Sequence, residues 1–139
     1  MPRLRADAKT KLIADVPLFA GLSKRELAQV AAIADEIDVR AGRVLIREGD
    51  PGREFFVLLE GEAELSQRGR VLKKRTPGDF FGEMALVSKR PRNATVTTTT
   101  PARALVISER DFRSLLQRSP TIALKVLTAF VERLPPEEE

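Results

Sequence analysis

The alternation of apolar and polar positions divides the chain into three zones. Residues 4–34 carry helical periodicity. Leu4 to Ala14 form one candidate helix, Pro17 to Leu22 a turn, and Ser23 to about Ala34 a second helix. Ser23 and Glu26 have the spacing of a capping box, in which each side chain accepts the other residue's backbone N–H. Leu27, Val30, Ala31 and Ala34 recur on one face of that helix. Residues 35–108 switch to strand patterning. The strand cores are Ile37 to Val39, Val44 to Ile46, Phe55 to Leu59, Ala63 to Ser66, Val71-Leu72, Thr95 to Thr99 and Leu105 to Ile107. Turn signals at Gly49-Asp50-Pro51-Gly52, Gly61, Gly69 and Pro77-Gly78-Asp79 separate them at the interval of an antiparallel barrel or sandwich. Residues 109–134 return to helix, with Ser108 and then Ser119-Pro120 as start signals. Pro135-Pro136 stops the last helix, and Glu137 to Glu139 form a solvated acidic tail.

Composition narrows the function classes. A chain of 139 residues fits one domain able to bury about two-thirds of its unfolded surface. No run of eighteen apolar residues spans a membrane, and no signal peptide opens the chain. The absence of Cys removes disulfides and fits a cytoplasmic protein. The net charge of +4 is mild, and the basic residues are scattered, which argues against a nucleic-acid surface. With neither His nor Cys, the chain has no Ser-His-Asp triad, no thiol nucleophile and no His/Cys zinc or iron–sulfur site. The expectation is a binding protein, with no catalytic residue, no metal and no cofactor.

The candidate chemistry lies in residues 81–96. Gly82 lets a backbone come close to a ligand. Glu83 can accept a hydrogen bond from a sugar hydroxyl. Met84, Ala85 and Leu86 can start a short helix whose first N–H groups point at an anion. Pro91 stiffens the approach to Arg92, whose planar fork of donors suits phosphate oxygens. Asn93 and Ala94 add a side-chain amide and a further backbone N–H. As a loop residue, Arg92 is expected to serve a ligand and to matter little for folding.

Phe81-Gly82-Glu83, Ala85-Leu86, Pro91-Arg92 and Ala94-Thr95-Val96 together resemble the phosphate-binding cassette of the cyclic nucleotide-binding domain family. The resemblance runs from Leu18 to Leu134. It implies a mainly β fold: an eight-stranded antiparallel, jelly-roll-like β-barrel with N-terminal helices and a C-terminal helix pair. The single domain then spans residues 1–139, with helices in 1–34, the barrel in 35–108 holding the cassette at 81–95, helices in 109–134 and the tail in 135–139. By the family pattern Glu83 binds the ribose 2′-hydroxyl and Arg92 the exocyclic phosphate oxygens, with Gly82, Met84, Ala85, Asn93 and Ala94 completing the cradle. Leu65, Leu72 and Arg75 are expected near the base, and Phe130 at the cover of the pocket. For Leu65 and Leu72 an ordinary place in the core is an equal alternative.

The same resemblance implies a receptor for cAMP, ahead of cGMP, that repositions its C-terminal helix to regulate an effector partner or a fused domain. Family members that prefer cGMP tend to carry Thr after the arginine, and many cAMP binders Ala or Ser; Asn93 is neither. The last helix is apolar on more than one face, so a second subunit is one way of covering it, as in a homodimer. The DNA-binding helix-turn-helix of the bacterial catabolite activator protein has no counterpart in this chain. The alternative is a degenerate barrel that binds no nucleotide and serves as a protein-interaction scaffold.

Overall fold

The computed structural model describes residues 6–82 and 91–133. Among the described residues, three helical pieces and eight strands precede two closing helices. The order is α1 (Ala6–Ala14), a 3₁₀ turn (Pro17–Phe19), α2 (Lys24–Ile33), β1 (Ala34–Val39), β2 (Val44–Ile46), β3 (Glu54–Glu60), β4 (Ala63–Gln67), β5 (Arg70–Arg75), β6 (Phe80–Phe81), β7 (Thr95–Thr98) and β8 (Ala102–Ser108). The chain then continues through α3 (Glu109–Arg118) and α4 (Pro120–Arg133).

The capping box forms as its spacing requires: Glu26 N–H donates to Ser23 Oγ at 3.1 Å and Ser23 N–H to Glu26 Oε1 at 2.9 Å. Ser108 and Ser119 likewise accept N–H groups three residues on, at 3.2 Å each. Helical periodicity carried α2 to about Ala34, but the helix ends at Ile33. Ala34 is extended (φ −96°, ψ 129°) and opens β1, because it pairs with Ile107 across the sheet.

All ladders are antiparallel. The strands pair as two four-stranded sheets, β1-β8-β3-β6 and β2-β7-β4-β5. Among the described residues no ladder joins the two sheets, so the closed eight-stranded barrel expected from the sequence is instead a pair of sheets with free edges. Side chains, in place of ladder hydrogen bonds, join the two sheets, as the strand faces show. β3 is apolar at five consecutive positions, the mark of a strand covered on both sides. Phe55 and Val57, with Phe80, Leu105 and Ile107, face a core built from Ile13, Phe19, Val30, Phe112, Leu115, Ile122 and Val126 of the helical elements. Phe56 and Leu58, with Phe81 and Ala102, face Ile46, Ala63 and Val96 of the second sheet.

The first sheet is thus the middle of three layers. Phe55 stacks on Phe112 with ring centroids 4.8 Å apart, and Phe56 on Phe81 at 5.5 Å, one pair on each side of the sheet. Helix α4 is half embedded. Ile122 and Val126 are buried, while Leu124, Leu127 and Val131 form an exposed stripe. Lys125 Nζ donates to the Ala20 carbonyl and ties the helix to the turn after Phe19.

Candidate functional site

The segment from Pro91 to Thr95 is held by the 47–50 turn, which leads from β2 to β3, and by the tip of the β4–β5 hairpin. Arg92 N–H donates to the Asp50 carbonyl, and the Arg92 carbonyl accepts from Gly49 N–H, both at 2.8 Å. Gln67 Nε2 donates to the Asn93 carbonyl at 2.7 Å. Glu48 N–H donates to Thr95 Oγ1 at 3.0 Å. Residues of the 47–50 turn, the β4–β5 hairpin and Arg92-Asn93 line an open depression of about 930 Å³.

Arg92 occupies the back of this site. Its guanidinium donates through Nη1 to the Gly82 carbonyl at 2.7 Å and through Nη2 to the Glu54 carbonyl. Glu54 begins β3 and Gly82 follows β6, so the side chain caps the end of the β3–β6 ladder. Arg92 is 8% exposed. The expectation that it matters little for folding is corrected here, because two backbone carbonyls depend on it. Gly82 is required at its place for two reasons. Its φ is +94°, and a Cβ there would lie 2.7 Å from Arg92 Nη1 and 2.8 Å from the Glu54 carbonyl oxygen.

The sequence-predicted residues divide into groups. Arg92 and Asn93 line the depression, Gly82 is tied to Arg92 through its carbonyl, and Ala94 is buried. Glu83, Met84 and Ala85 lie outside the described residues, as does the side chain of Phe130. Leu72 lines the depression and is 49% exposed. It is the extra residue of a β-bulge: Leu65 pairs with Lys73 and Ser66 with Val71, leaving Leu72 between them. Such a bulge re-aims a side chain. Leu65 instead packs against the core between the sheets. Arg75 pairs with Ala63 at the far end of β5 and is not part of the lining.

Glu48, Gln67, Arg68 and Arg70 line the depression without having been singled out from the sequence. A signal was present in Gln67-Arg68-Gly69-Arg70. Two residues between alternating segments, the second a glycine, form a tight hairpin turn. Arg68 and Gly69 both have positive φ, +51° and +79°. Arg68 is a costly residue for that conformation, and its N–H is held by Glu48 Oε1 at 3.0 Å. Among the described residues no group of three or more acidic, His or Cys side chains could hold a metal ion. No described helix is long and apolar enough to cross a membrane.

The family model for the cyclic nucleotide-binding domain matches residues 36–119, which covers both sheets, the site and α3. The chain belongs to this family. A cyclic nucleotide-gated potassium channel of Mesorhizobium japonicum is 39% identical over 113 residues, covering 81% of this chain and 31% of the channel. A cAMP-dependent protein kinase regulatory subunit of Schizosaccharomyces pombe is 35% identical over 106 residues, covering 76% of this chain and 26% of the subunit. This cyclic nucleotide-binding domain therefore spans about a third or less of the length of these curated relatives. Among solved structures, the N-terminal domain of a transcriptional regulator from Streptomyces coelicolor superposes with a TM-score of 0.73 at 31% identity. That match covers 88% of this chain and 91% of the other.

Proposed function

We propose that the domain binds a cyclic nucleotide, cAMP ahead of cGMP, and passes the binding event to an effector through its C-terminal helix. The observation that carries this reading is that Arg92 and Asn93, at the family's cassette positions, line a ligand-sized depression, with Gly82 bonded to the Arg92 guanidinium. Arg92 contributes the phosphate contact. A guanidinium has five N–H donors in one plane, so anchoring to backbone carbonyls and meeting a phosphate are compatible roles. Glu83 takes the ribose 2′-hydroxyl, and Met84, Ala85 and Ala94 supply backbone to the cradle. Leu72, bulged towards the depression, offers an apolar surface to the base. The names of the channel and kinase relatives support the ligand class.

Helix α4 is the output element in this reading. Its first half is anchored in the core and its apolar stripe of Leu124, Leu127 and Val131 is uncovered, so a nucleotide can bias its position through new contacts. The effector is a partner protein or a fused domain.

Arg92 also favours a second reading. Its buried, carbonyl-bound guanidinium is a structural element in its own right, as a nucleotide-independent scaffold would keep it. Thermal shift with cAMP, cGMP and non-cyclic AMP separates the two. Ligand at a hundred times its dissociation constant adds about 2.7 kcal/mol, several degrees in melting temperature. A shift with cyclic nucleotide and none with AMP supports the receptor; no shift at millimolar concentration supports the scaffold. Hydrogen exchange tests the output element, with amides from Leu124 to Arg133 gaining protection when cAMP is added.

A further inference from the structure

Three consecutive peptide planes follow Pro91, and each is held from a neighbouring loop. The Pro91–Arg92 plane is fixed by Arg92 N–H donating to the Asp50 carbonyl. The Arg92–Asn93 plane is fixed by the Arg92 carbonyl accepting from Gly49 N–H. The third plane, Asn93–Ala94, is held by a side chain: Gln67 Nε2 donates to the Asn93 carbonyl at 2.7 Å. The first two restraints are backbone to backbone, so no side-chain truncation deletes them. The third depends on one residue.

A trans peptide points its carbonyl and its N–H in opposite directions, and the described chain has no cis bond. A donor that draws the Asn93 carbonyl towards the β4–β5 hairpin therefore aims Ala94 N–H away from that hairpin. The hairpin is itself anchored, because Glu48 Oε1 accepts Arg68 N–H at 3.0 Å while Glu48 N–H donates to Thr95 Oγ1 at 3.0 Å. The 47–50 turn, the hairpin tip and the 91–95 segment form one hydrogen-bonded unit. We infer that Gln67 is a positioning residue for anion recognition: it orients the Asn93–Ala94 peptide so that Ala94 N–H is preset for the ligand. This rests on the nucleotide reading given above, in which Ala94 supplies backbone to the phosphate.

Side-chain chemistry limits which residues could replace it. Met matches the length of Gln but has no donor. Ionised Glu matches its shape, yet sets a carboxylate against a carbonyl oxygen, and close to an anionic ligand.

The test uses Gln67→Met and Gln67→Glu in the whole chain, with three readouts: hydrogen exchange at Ala94 without ligand, affinity for cAMP and cGMP by calorimetry, and melting temperature without ligand. Gln67→Met is expected to speed exchange at Ala94 and weaken binding about three- to tenfold, the net worth of one neutral hydrogen bond. Its melting temperature should move by less than about 2 °C, as for other surface substitutions. Gln67→Glu should bind more weakly still. Unchanged affinity and unchanged Ala94 exchange overturn the inference. A drop in melting temperature with faster exchange throughout β4 and β7 also overturns it, since Gln67 is then a general stabiliser. If wild-type protein binds neither cAMP nor cGMP, the nucleotide reading fails, and Ala94 exchange still decides whether Gln67 orients the peptide.

Discussion

The two sheets of this domain have the same number of strands and opposite characters. The sheet β1-β8-β3-β6 is covered on both faces and, among the described residues, holds four of the five buried Phe–Phe-contacting positions within its strands, with Phe112 the one on a helix. The sheet β2-β7-β4-β5 is covered on one face, and its edge strand β5 reads Arg-Val-Leu-Lys-Lys-Arg with no buried residue. Buried apolar packing is concentrated around the first sheet. The candidate site is built from the turns of the second, anchored to the first through Arg92, Gly82 and Glu54. A rigid layer carrying hairpin tips lets the tips diversify without risk to the core.

Substitutions in the two sheets should separate in size. Phe112→Ala removes a fully buried ring stacked on Phe55 and should cost about 3–5 kcal/mol in urea unfolding. A loss under about 1 kcal/mol would show that the helical core does not dominate stability. Arg92→Ala bridges the two regions, so it should act on both scales. Nucleotide affinity should fall by about 2–5 kcal/mol in calorimetry. Stability without ligand should fall by about 1–3 kcal/mol, because the Gly82 and Glu54 carbonyls lose their donor. Binding loss without stability loss would mean that the guanidinium serves ligand alone.

Gly82→Ala should cost about 1–3 kcal/mol of stability by forcing a side chain into a positive-φ conformation beside the Glu54 carbonyl. Leu72→Ala, at the exposed bulge, should change stability by less than about 0.5 kcal/mol. If it weakens nucleotide binding at the same time, Leu72 touches the base. The smallest effect is electrostatic. Backbone and side-chain hydrogen bonds from Ser23 hold the Glu26 carboxyl below its ordinary range. A depressed folded-state pKa contributes stability above the unfolded value and loses it as pH falls through the folded one. Glu26→Gln should therefore flatten the acid limb of the stability curve slightly, leaving neutral-pH melting nearly unchanged.

Legibility from sequence followed the range of the interactions. Ser23, Ser108 and Ser119 were readable as helix starts because each cap bonds only three residues away. The run Phe55 to Leu59 was readable as a strand from its apolar content. β6 was not, since Phe80-Phe81 is too short for any period and forms only by pairing with Val57 and Phe56. Ala34 fitted the helical face of α2, but pairing with Ile107 decided its conformation. In the site, residue types at family spacing pointed to Gly82 and Arg92. The burial of Arg92 and the reach of Gln67 to Asn93 depend on contacts across 38 and 26 positions, which no local pattern encodes. Leu65 and Leu72 looked alike in sequence, and a bulge between them sends one to the core and the other to the surface.

The position of β8 has a kinetic consequence. It is the last of the described strands and one of the two inner strands of its sheet, lying between β1 and β3. Its pairing with β1 closes a loop of about 70 residues, an entropic cost met before any ladder contact forms. During synthesis β3 emerges long before its neighbour, and its apolar run waits without a partner on that edge. The domain is therefore expected to fold late and cooperatively, once Ala102 to Ser108 have left the ribosome, and a chain stopped before them should aggregate through Phe55 to Leu59.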